Sequence, residues 1–235
     1  MSTYVCSDLH GNGKLWDKIK EFLKEDDTLY FLGDAADRGP DGWRIIKEMI
    51  ADPRVIYLAG NHDIMLADRI GEPLNHEIAN LHNSNGGMST WESAENDPDA
   101  LYIMNQIYKM PRSITYTNAN NKVIYMSHSG STLNDPYDLI WDRHEFLSNY
   151  KPEGIDYIIH GHTPNVSIFD KFVETNQFLP KNKKYKLPSI ECPIGAFWYF
   201  PCRCGIDCLT FRTKRIVLID LDTLEEYIFN EEESE

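Results

Sequence analysis

Apolar residues follow two different periods in the first 62 positions of the chain. Runs rich in β-branched and aromatic residues occupy 3–7, 28–32 and 55–59, and such runs predict buried strands. The segment between the first two runs is apolar at helical spacing, at Leu15, Trp16, Ile19, Phe22 and Leu23. Strands that alternate with amphipathic helices are typical of βαβ units. We therefore expect the first two units to form a parallel sheet.

The rest of the chain predicts a helical insertion and a second sheet. Residues 64–110 mix helical periodicity with Asn- and Gly-rich turns, which favours an insertion of helices at a substrate cleft. The strands predicted for the second sheet are 113–117, 122–127, 155–159, 215–221 and 225–229. The first two of these flank an Asn-Ala-Asn-Asn turn and indicate a hairpin. Residues 165–205 show no clear period.

Length, composition and charge limit the class of protein. A chain of 235 residues with 42% hydrophobic residues can bury a substantial core, and we interpret residues 1–235 as one domain. No run approaches the ~20 apolar residues of a membrane span, and the N-terminus lacks a signal-like pattern, so we expect a soluble, cytoplasmic protein. The net charge of −14 argues against a nucleic-acid duplex or a membrane as partner, because both bind clustered Lys and Arg.

Five cysteines, an odd number, in a chain without a signal-like N-terminus argue against a disulfide framework. We expect Cys6 to be a buried strand residue. A structural zinc site is a weaker alternative to reduced thiols for the other four, because their spacing lacks paired C-x₂-C knuckles. These four are Cys192, Cys202, Cys204 and Cys208.

Polar, glycine-containing loops directly follow the strand-like runs, where ligands of open α/β sheets gather. Asp8 and His10 are two residues apart, so in an extended backbone both side chains can point toward one ion. Asp34, after the second run, can bridge two ions. Oxygen and imidazole ligands of this kind suit Mn²⁺, Fe or Zn²⁺. The candidate ligands that follow these runs are Asp8, His10, Asp34, Asn61, His128 and His162.

Five motifs occur in order between residues 8 and 164. They are Asp-Leu-His-Gly at 8–11, Gly-Asp to Asp-Arg-Gly at 33–39, Gly-Asn-His-Asp at 60–63, Ser-His-Ser-Gly at 127–130 and His-Gly-His-Thr-Pro at 160–164. Together with Leu-Ile-Trp-Asp-Arg at 139–143, the series resembles the phosphoprotein phosphatase family of calcineurin-like metallophosphoesterases. Bacterial and phage protein phosphatases and symmetrical diadenosine tetraphosphatases are the nearest members. Each motif alone is compatible with a turn or helix cap, but turn chemistry does not explain the ordered set.

The resemblance implies a fold and a metal centre. The fold would be an α/β four-layer sandwich with two mixed β-sheets flanked by helices. Two divalent metal ions would be bound, with Mn favoured and Fe, Zn or Co also open. One ion would be held by Asp8, His10 and Asp34. The other would be held by Asp34, Asn61, His128 and His162.

The resemblance also implies roles in catalysis. A hydroxide that bridges the metals would attack a phosphate monoester directly. His62 would protonate the leaving oxygen, with Asp37 holding its imidazole. Arg38 and Arg143, together with Asn61, would bind the phosphoryl oxygens.

The leading function is a serine/threonine protein phosphatase, because the Asp37-Arg38 pair and the segment 141–143 look like bacterial protein phosphatases. Its partner would be a phosphorylated protein or peptide, or a small phosphoester. A symmetrical diadenosine tetraphosphatase is the alternative enzyme. Its long polyphosphate substrate needs cations in the site, so the net charge of −14 disfavours this alternative. A third hypothesis, from a different functional class, is a metal protein that senses phosphate groups without catalysis. It would require that one of the catalytic residues is absent.

Other residues have less specific interpretations. His76, His82 and His144 lie in polar stretches and are expected at the surface. His160 either orients a ligand or is a structural residue at a strand end. Asp63 stands where the family more often has Glu. In a segment near the C-terminus that partly resembles bacterial relatives, Leu209, Thr213 and Lys214 replace the usual glycines.

Overall fold

The computed structural model describes residues 1–144, 150–175, 194–200 and 202–231. The first half contains β1 (Thr3–Cys6), α1 (Gly13–Phe22), β2 (Thr28–Phe31), α2 (Gly42–Ala51), β3 (Val55–Tyr57), α3 (Asn61–Gly71), α4 (His76–Ser84), α5 (Met88–Ala94) and α6 (Ala100–Lys109). The second half contains β4 (Ser113–Thr117), β5 (Val123–Ser127), α7 (Asp138–Trp141), β6 (Tyr157–His160), α8 (Asn165–Thr175), β7 (Phe197–Tyr199), β8 (Arg203–Gly205), α9 (Thr210–Thr213), β9 (Arg215–Asp220) and β10 (Glu226–Asn230).

The first sheet has the strand order β10-β9-β1-β2-β3. Strand β1 pairs in parallel with β2, and β2 pairs in parallel with β3, which confirms the prediction from the first two repeats. Helix α1 lies between β1 and β2 in sequence, and Asn12 caps it by accepting a hydrogen bond from the backbone N–H of Leu15 at 3.1 Å. The carboxyl ends of the three parallel strands consequently open on the same edge.

The second sheet has the order β4-β5-β6-β8-β7. Strands β4 and β5 form the predicted antiparallel hairpin, and β6 pairs in parallel with both β5 and β8. The expectation that the last two strands complete this sheet was wrong, because β9 pairs antiparallel with β1 and β10 with β9. The second sheet is completed instead by β7 and β8, from the stretch without a clear period.

The side chains of β9 explain why the sequence did not reveal its sheet. Ile216 and Leu218 pack toward the helices, whereas Val217 and Ile219 pack toward the second sheet. A strand that is buried on both faces gives a continuous apolar run, and such a run carries no information about its neighbours.

The sheets and helices form the four layers that the resemblance implied. Along β1, Tyr4 and Cys6 join the core beneath the helices, whereas Val5 joins the core between the two sheets. On the far side of the second sheet, Ile168 of α8 packs against Tyr199 of β7. The alternation follows from the period of two along a strand, which sends neighbouring side chains to opposite faces.

The insertion is helical, as predicted, and consists of helices α3 to α6. Cys6 is fully buried, and Cys202, Cys204 and Cys208 are free thiols. Cys192 lies outside the described residues, and in the described part no group of side chains that could hold a metal includes a cysteine. None of the described helices is both long and apolar enough to cross a membrane.

Candidate metal centre

Six polar side chains lie at one edge of the two sheets, five in loops that follow strands and Asn61 at the first position of α3. They are Asp8, His10, Asp34, Asn61, His128 and His162, and each is at most 4% exposed. The loops are tied together through their backbones: the N–H of Asp8 donates to the carbonyl of Gly33 at 3.0 Å, and that of His10 donates to the carbonyl of Asp34 at 3.0 Å. The structure therefore brings together all the residues that the sequence predicts as metal ligands.

The backbone at this edge is unusual. Asp8, His10, Asp34 and His162 have positive φ angles of 58°, 46°, 62° and 62°. The extended backbone assumed for Asp8 and His10 was therefore wrong; their side chains converge because the chain turns back after β1. Left-handed residues other than glycine cost of order 1–3 kcal/mol each and cluster at functional sites. The concentration of this strain at the predicted ligands supports a functional role for the turns.

Glycine permits the close contact between two of these loops. A Cβ added to Gly60 would lie 2.1 Å from Oδ1 of Asp34, a distance that real atoms do not adopt. The same Asp34 oxygen accepts a hydrogen bond from the backbone N–H of His62 at 3.0 Å. Gly60 thus allows the loop after β3 to approach the carboxylate at the end of β2.

Asp34 occupies the middle of the cluster. Its Oδ2 atom lies 3.4 Å from Nε2 of His128, 3.7 Å from Nε2 of His10 and 4.0 Å from Nε2 of His62. The oxygen and imidazole atoms fall into two groups that could each hold an ion, and both groups include Asp34. One comprises His10, Asp34 and His62, and the other comprises Asp34, His128 and His162.

Hydrogen bonds to the distant ring nitrogens orient two of the histidines. Nδ1 of His10 lies 3.1 Å from the carbonyl oxygen of Ala36, and Nδ1 of His128 lies 2.7 Å from that of Leu32. Each Nδ1 can donate to its carbonyl, which turns Nε2 toward Asp34, where it could bind an ion once it has lost its proton. Metal-ligating histidines are typically oriented in this way. In addition, Oδ1 of Asn61 lies 3.1 Å from Nε2 of His128, and Oδ1 of Asp8 lies 3.8 Å from Nε2 of His10.

His162 gives the most direct test of whether the residues fit a metal. Its Nε2 atom is buried and finds no hydrogen-bond partner among the residues that the structure describes, and a buried polar atom without a partner costs free energy. Its ring centre lies 5.0 Å from that of His128, and Trp141 lies edge-on to it at 6.4 Å. A bound divalent ion would satisfy this nitrogen, so the donor set fits the metals that the resemblance implies.

The electrostatics of the cluster favour positive charge next to Asp34. Burial alone would raise the pKa of Asp34, but the imidazoles of His128 and His62 hold it well below its usual range. Burial alone would lower the pKa of His128, but the carboxylates of Asp34 and Asp8 raise it to about 9. The carboxylate is therefore ionised at neutral pH and stabilised by neighbouring positive charge, a requirement that a divalent cation would also meet.

Beside the cluster lie His62, Asp37 and Arg38. Nδ1 of His62 is 2.7 Å from Oδ2 of the fully buried Asp37. Arg38 places Nη1 2.7 Å from Nε2 of His10 and Nη2 3.0 Å from Nε2 of His62. Arg143 is further out, with Nη1 3.4 Å from the hydroxyl of Thr163 next to His162. The two arginines thus adjoin different ends of the cluster.

Phe211, which the sequence analysis missed, covers Arg38. The guanidinium carbon lies 4.6 Å from the centre of the Phe211 ring, a distance suited to a cation–π contact. The segment that carries Phe211 is bounded by Leu209 and Lys214, both with φ of 57°. These two residues replace glycines of the resembled family, yet they keep the left-handed backbone that glycine favours.

One of the three histidines predicted at the surface is buried. His76 and His144 are exposed, as expected, but His82 is fully buried and its Nε2 lies 2.9 Å from Oδ1 of Asp37. The surface prediction for His82 was wrong because its partner is 45 positions away, and nothing local distinguishes a buried polar residue from an exposed one. His160 is buried against Tyr199, with Nδ1 2.9 Å from the carbonyl of Gly161.

Asp63 connects two of the ligand-bearing loops. Its carboxylate accepts hydrogen bonds from the backbone N–H groups of Asp34 at 2.8 Å and Gly60 at 2.9 Å, and from the hydroxyl of Tyr57 at 2.9 Å. The sequence had marked Asp63 only as a departure from the family's usual Glu. In the structure it holds the ends of β2 and β3 together beneath the metal ligands.

Comparison with known proteins agrees with this geometry. A model of the calcineurin-like phosphoesterase family matches residues 1–166. The chain belongs to this family. The matched region contains all six predicted ligands, together with His62, Asp37 and both arginines.

Individual relatives are more distant. The symmetrical bis(5'-nucleosyl)-tetraphosphatase of Buchnera aphidicola from Acyrthosiphon pisum is 39% identical over 70 residues, which are 28% of this chain and 26% of that protein. The similarity thus spans about a quarter of the relative's length.

Two solved structures share the calcineurin-like fold across nearly the whole chain. A metallophosphoesterase from Sphaerobacter thermophilus has a TM-score of 0.57 at 13% identity, covering 97% of this chain and 86% of its own. A cold-active protein-tyrosine phosphatase of a psychrophilic Shewanella has a TM-score of 0.56 at 14% identity, covering 98% and 78%.

Metal binding at the cluster predicts a gain in stability that depends on Asp34. Mn²⁺ at a hundredfold excess over its Kd should raise the thermal midpoint of the wild-type protein by roughly 5–10 °C, because the ion binds only the folded chain. In Asp34→Asn most of this shift should be lost, whereas Asp99→Asn, at an exposed carboxylate on the far side of α2, should keep it. Differential scanning fluorimetry measures the Mn²⁺-induced shift of each variant, on protein that is first freed of metal with a chelator. Equal shifts in the two variants would contradict a site centred on Asp34.

We expect Asp63→Asn to lower the free energy of unfolding. Because Asp63 is fully buried, the substitution leaves the surface charge unchanged. The amide group presents N–H donors toward backbone N–H donors, so at least one buried hydrogen bond is lost, at a cost of about 1–3 kcal/mol. Urea unfolding of Asp63→Asn measures the effect, with Asp26→Asn as control because Asp26 is exposed. A change below about 0.5 kcal/mol, the range of ordinary surface substitutions, would show that Asp63 does not hold the loops.

Proposed function

We propose that this protein is a metal-dependent hydrolase of phosphate monoesters, and that its leading substrates are phosphoserine and phosphothreonine residues of proteins. The observation that carries the proposal is the position of the Asp34 carboxylate, between Nε2 of His10 and Nε2 of His128 and beside the His62–Asp37 pair. The proposed metal ligands, proton donor and phosphate-binding arginine thus adjoin one another at this edge, with the ligands buried and Arg38 exposed. Mn²⁺ is the metal we favour, and Fe, Zn or Co could also use these oxygen and imidazole donors.

Each ligand has a proposed place in the centre. Asp8, His10 and Asp34 would hold one ion, and Asp34, Asn61, His128 and His162 would hold the other. Two bound dications would acidify a water molecule and neutralise charge on the phosphoryl group. The left-handed turns after β1 and β2 orient Asp8, His10 and Asp34 toward the proposed centre.

His62 is proposed as the general acid that protonates the leaving oxygen. Its Nδ1 is held by Asp37 at 2.7 Å, so Nε2 faces the cluster. Burial alone would raise the pKa of Asp37, but hydrogen bonds from His62 and His82 hold that pKa below its usual value. The carboxylate therefore stays ionised, and it stabilises the positive charge that His62 carries when it holds a proton on each nitrogen.

Arg38 and Arg143 are proposed to bind the phosphoryl group, with the side-chain amide of Asn61. Planar guanidinium groups offer paired donors that match phosphoryl oxygens. In the structure Arg38 donates to Nε2 of His10 and of His62. A phosphoryl group would take over these two N–H donors, which would free both imidazole nitrogens for an ion and for the proton of the leaving oxygen. Arg143 is exposed beside Thr163, next to the ligand His162, so the two arginines could contact a monoester from different sides.

The surroundings of Arg38 support a short phosphoester over a long polyphosphate. A pocket of about 140 Å³ opens beside His10 and Arg38, and Lys14 and Lys214 contribute to its wall. The ammonium groups of both lysines face the carboxylate of Glu231, at 3.0 Å and 3.7 Å. One carboxylate thus faces both lysines, and an additional phosphate of a polyphosphate would have to compete with Glu231 for them.

A symmetrical diadenosine tetraphosphatase is the second candidate. It is favoured by the relative of that name, which aligns with this chain at 39% identity over 70 residues. The non-catalytic phosphate sensor ranks last, because the described residues include every side chain that the proposed hydrolysis requires. We also infer a reducing, cytoplasmic location, which the free thiols of Cys6, Cys202 and Cys204 support.

The substrate class is decided by a direct comparison. With Mn²⁺ supplied, we expect release of phosphate from phosphoserine and phosphothreonine peptides to exceed ADP formation from diadenosine tetraphosphate, measured as kcat/KM. Asp34→Asn serves as the blank, because it removes the charge shared by both metal positions. Preferential formation of ADP would identify the protein as a diadenosine tetraphosphatase instead. Equal rates in Asp34→Asn and the wild type would reject metal-dependent catalysis by this cluster.

Removal of the proposed general acid predicts a loss of turnover in a folded protein. His62→Asn should lower kcat by about 10²–10⁴-fold on a phosphopeptide, the usual contribution of a general acid. Thermal unfolding and the Mn²⁺-induced shift should remain, because Asn61 and the other ligands are unchanged. His76→Asn, at an exposed histidine of α4, is the matched control and should retain wild-type kcat. A His62→Asn variant with unchanged kcat would exclude His62 as the acid.

A further inference from the structure

Asp37 lies between two imidazoles that come from different elements. Its Oδ2 faces Nδ1 of His62 at 2.7 Å, and its Oδ1 faces Nε2 of His82 at 2.9 Å. All three side chains are at most 2% exposed. His62 lies at the start of α3 and His82 in the last turn of α4. Both oxygens of the carboxylate are therefore used, so the group cannot rotate without losing a buried hydrogen bond.

Arg69 fixes which nitrogen of His82 carries the hydrogen. Its Nη1 lies 3.4 Å from Nδ1 of His82, and a guanidinium group can only donate. Nδ1 of His82 is therefore the acceptor, and Nε2 carries the hydrogen that is donated to Asp37. Arg69 is itself held by Asn83, to which it donates, and by the face of Trp91 at 4.3 Å.

The His82 ring packs directly against the backbone of the segment that follows it. A Cβ added to Gly87 would lie 2.2 Å from Nε2 of the His82 ring, and the N–H of Gly87 donates to the carbonyl of His82 at 2.9 Å. The same segment holds the backbone of the neighbouring site residues. The N–H of Asp37 donates to the hydroxyl of Thr90 at 2.8 Å, and the N–H of Arg38 donates to the carbonyl of Gly86 at 2.9 Å.

We propose that His82 is a positioning residue for proton donation by His62. By occupying Oδ1 of Asp37, it leaves Oδ2 directed at His62 and thereby fixes the plane of the His62 imidazole. Loss of its donor would leave a buried carboxylate oxygen without a partner and free the carboxylate to turn. The proposal rests on the proposed function, in which His62 protonates the leaving oxygen. The insertion would thus contribute to the chemistry through α4.

Two amide variants separate the donor from the bulk of the ring. In His82→Gln the side-chain amide nitrogen can reach the position of Nε2 and donate to Asp37. The side chain of Asn in His82→Asn is too short to place its amide nitrogen there. Each is assayed with Mn²⁺ on p-nitrophenyl phosphate, whose leaving group departs readily as an anion, and on phenyl phosphate, whose leaving group needs a proton. His76→Asn, on the same helix and exposed, is the control.

We expect His82→Asn to lower kcat on phenyl phosphate about tenfold more than on p-nitrophenyl phosphate, a fraction of the full contribution of a general acid. KM should change little, because the arginines and metal ligands are intact. His82→Gln should restore most of the difference, and His76→Asn should match the wild type. An equal loss on both substrates, or no recovery in His82→Gln, would reduce His82 to a structural residue and overturn the proposal.

Stability and wild-type activity are measured in the same experiment. Thermal unfolding of each variant ensures that rates are compared on folded protein. If His82→Asn does not fold, His82→Gln decides alone: retention of the wild-type ratio of kcat between the two substrates supports the proposal, and a raised preference for p-nitrophenyl phosphate rejects it. A wild-type protein without Mn²⁺-dependent turnover of either ester would reject the proposed function itself, and the inference on His82 with it.

Discussion

The carboxylate of Asp34 is buried where the ends of the two sheets meet, and most of the site is arranged around it. One of its oxygens accepts the backbone N–H of His62, and the other faces His10, His128 and His62. An ionised carboxylate at this depth is tolerated only with hydrogen bonds and positive charge around it. The surrounding imidazoles meet this requirement, and the same geometry suits two cations that share one ligand.

The support for Asp34 extends outward in two directions. Beneath it, Asp63 ties its loop to the loop after β3, and Gly60 allows the two to touch. Beside it, the buried chain of Asp37, His62 and His82 reaches into the helical insertion. A parallel sheet brings its carboxyl ends to one edge at no further cost, but left-handed turns are needed to aim the side chains inward. Strain at these turns is maintained by the hydrogen bonds between loops.

The candidate metal-binding edge could be predicted from the sequence because each predicted ligand follows directly after an apolar run. The chain order of strands and polar loops thus carried the information. His82 could not be predicted in this way, because its contact with Asp37 depends on how α4 folds back over the loop after β2. The sheet of β9 was equally hidden, because Ile216 to Ile219 are apolar on both faces. The contact of Phe211 with Arg38 was hidden as well. It depends on left-handed backbone at Leu209 and Lys214, and neither residue is the glycine that would indicate such a conformation in the sequence.

The position of β1 also bears on the order in which the chain can fold during synthesis. Its partner β2 follows within the first 31 residues, but its other neighbour, β9, begins at Arg215. Until that late segment leaves the ribosome, one edge of β1 has no strand to pair with, although every predicted metal ligand has already been made. An open edge of this kind can pair with another chain. The late position of β9 in the chain therefore leaves one edge of β1 open to pairing with another chain until residues 215–220 have been made.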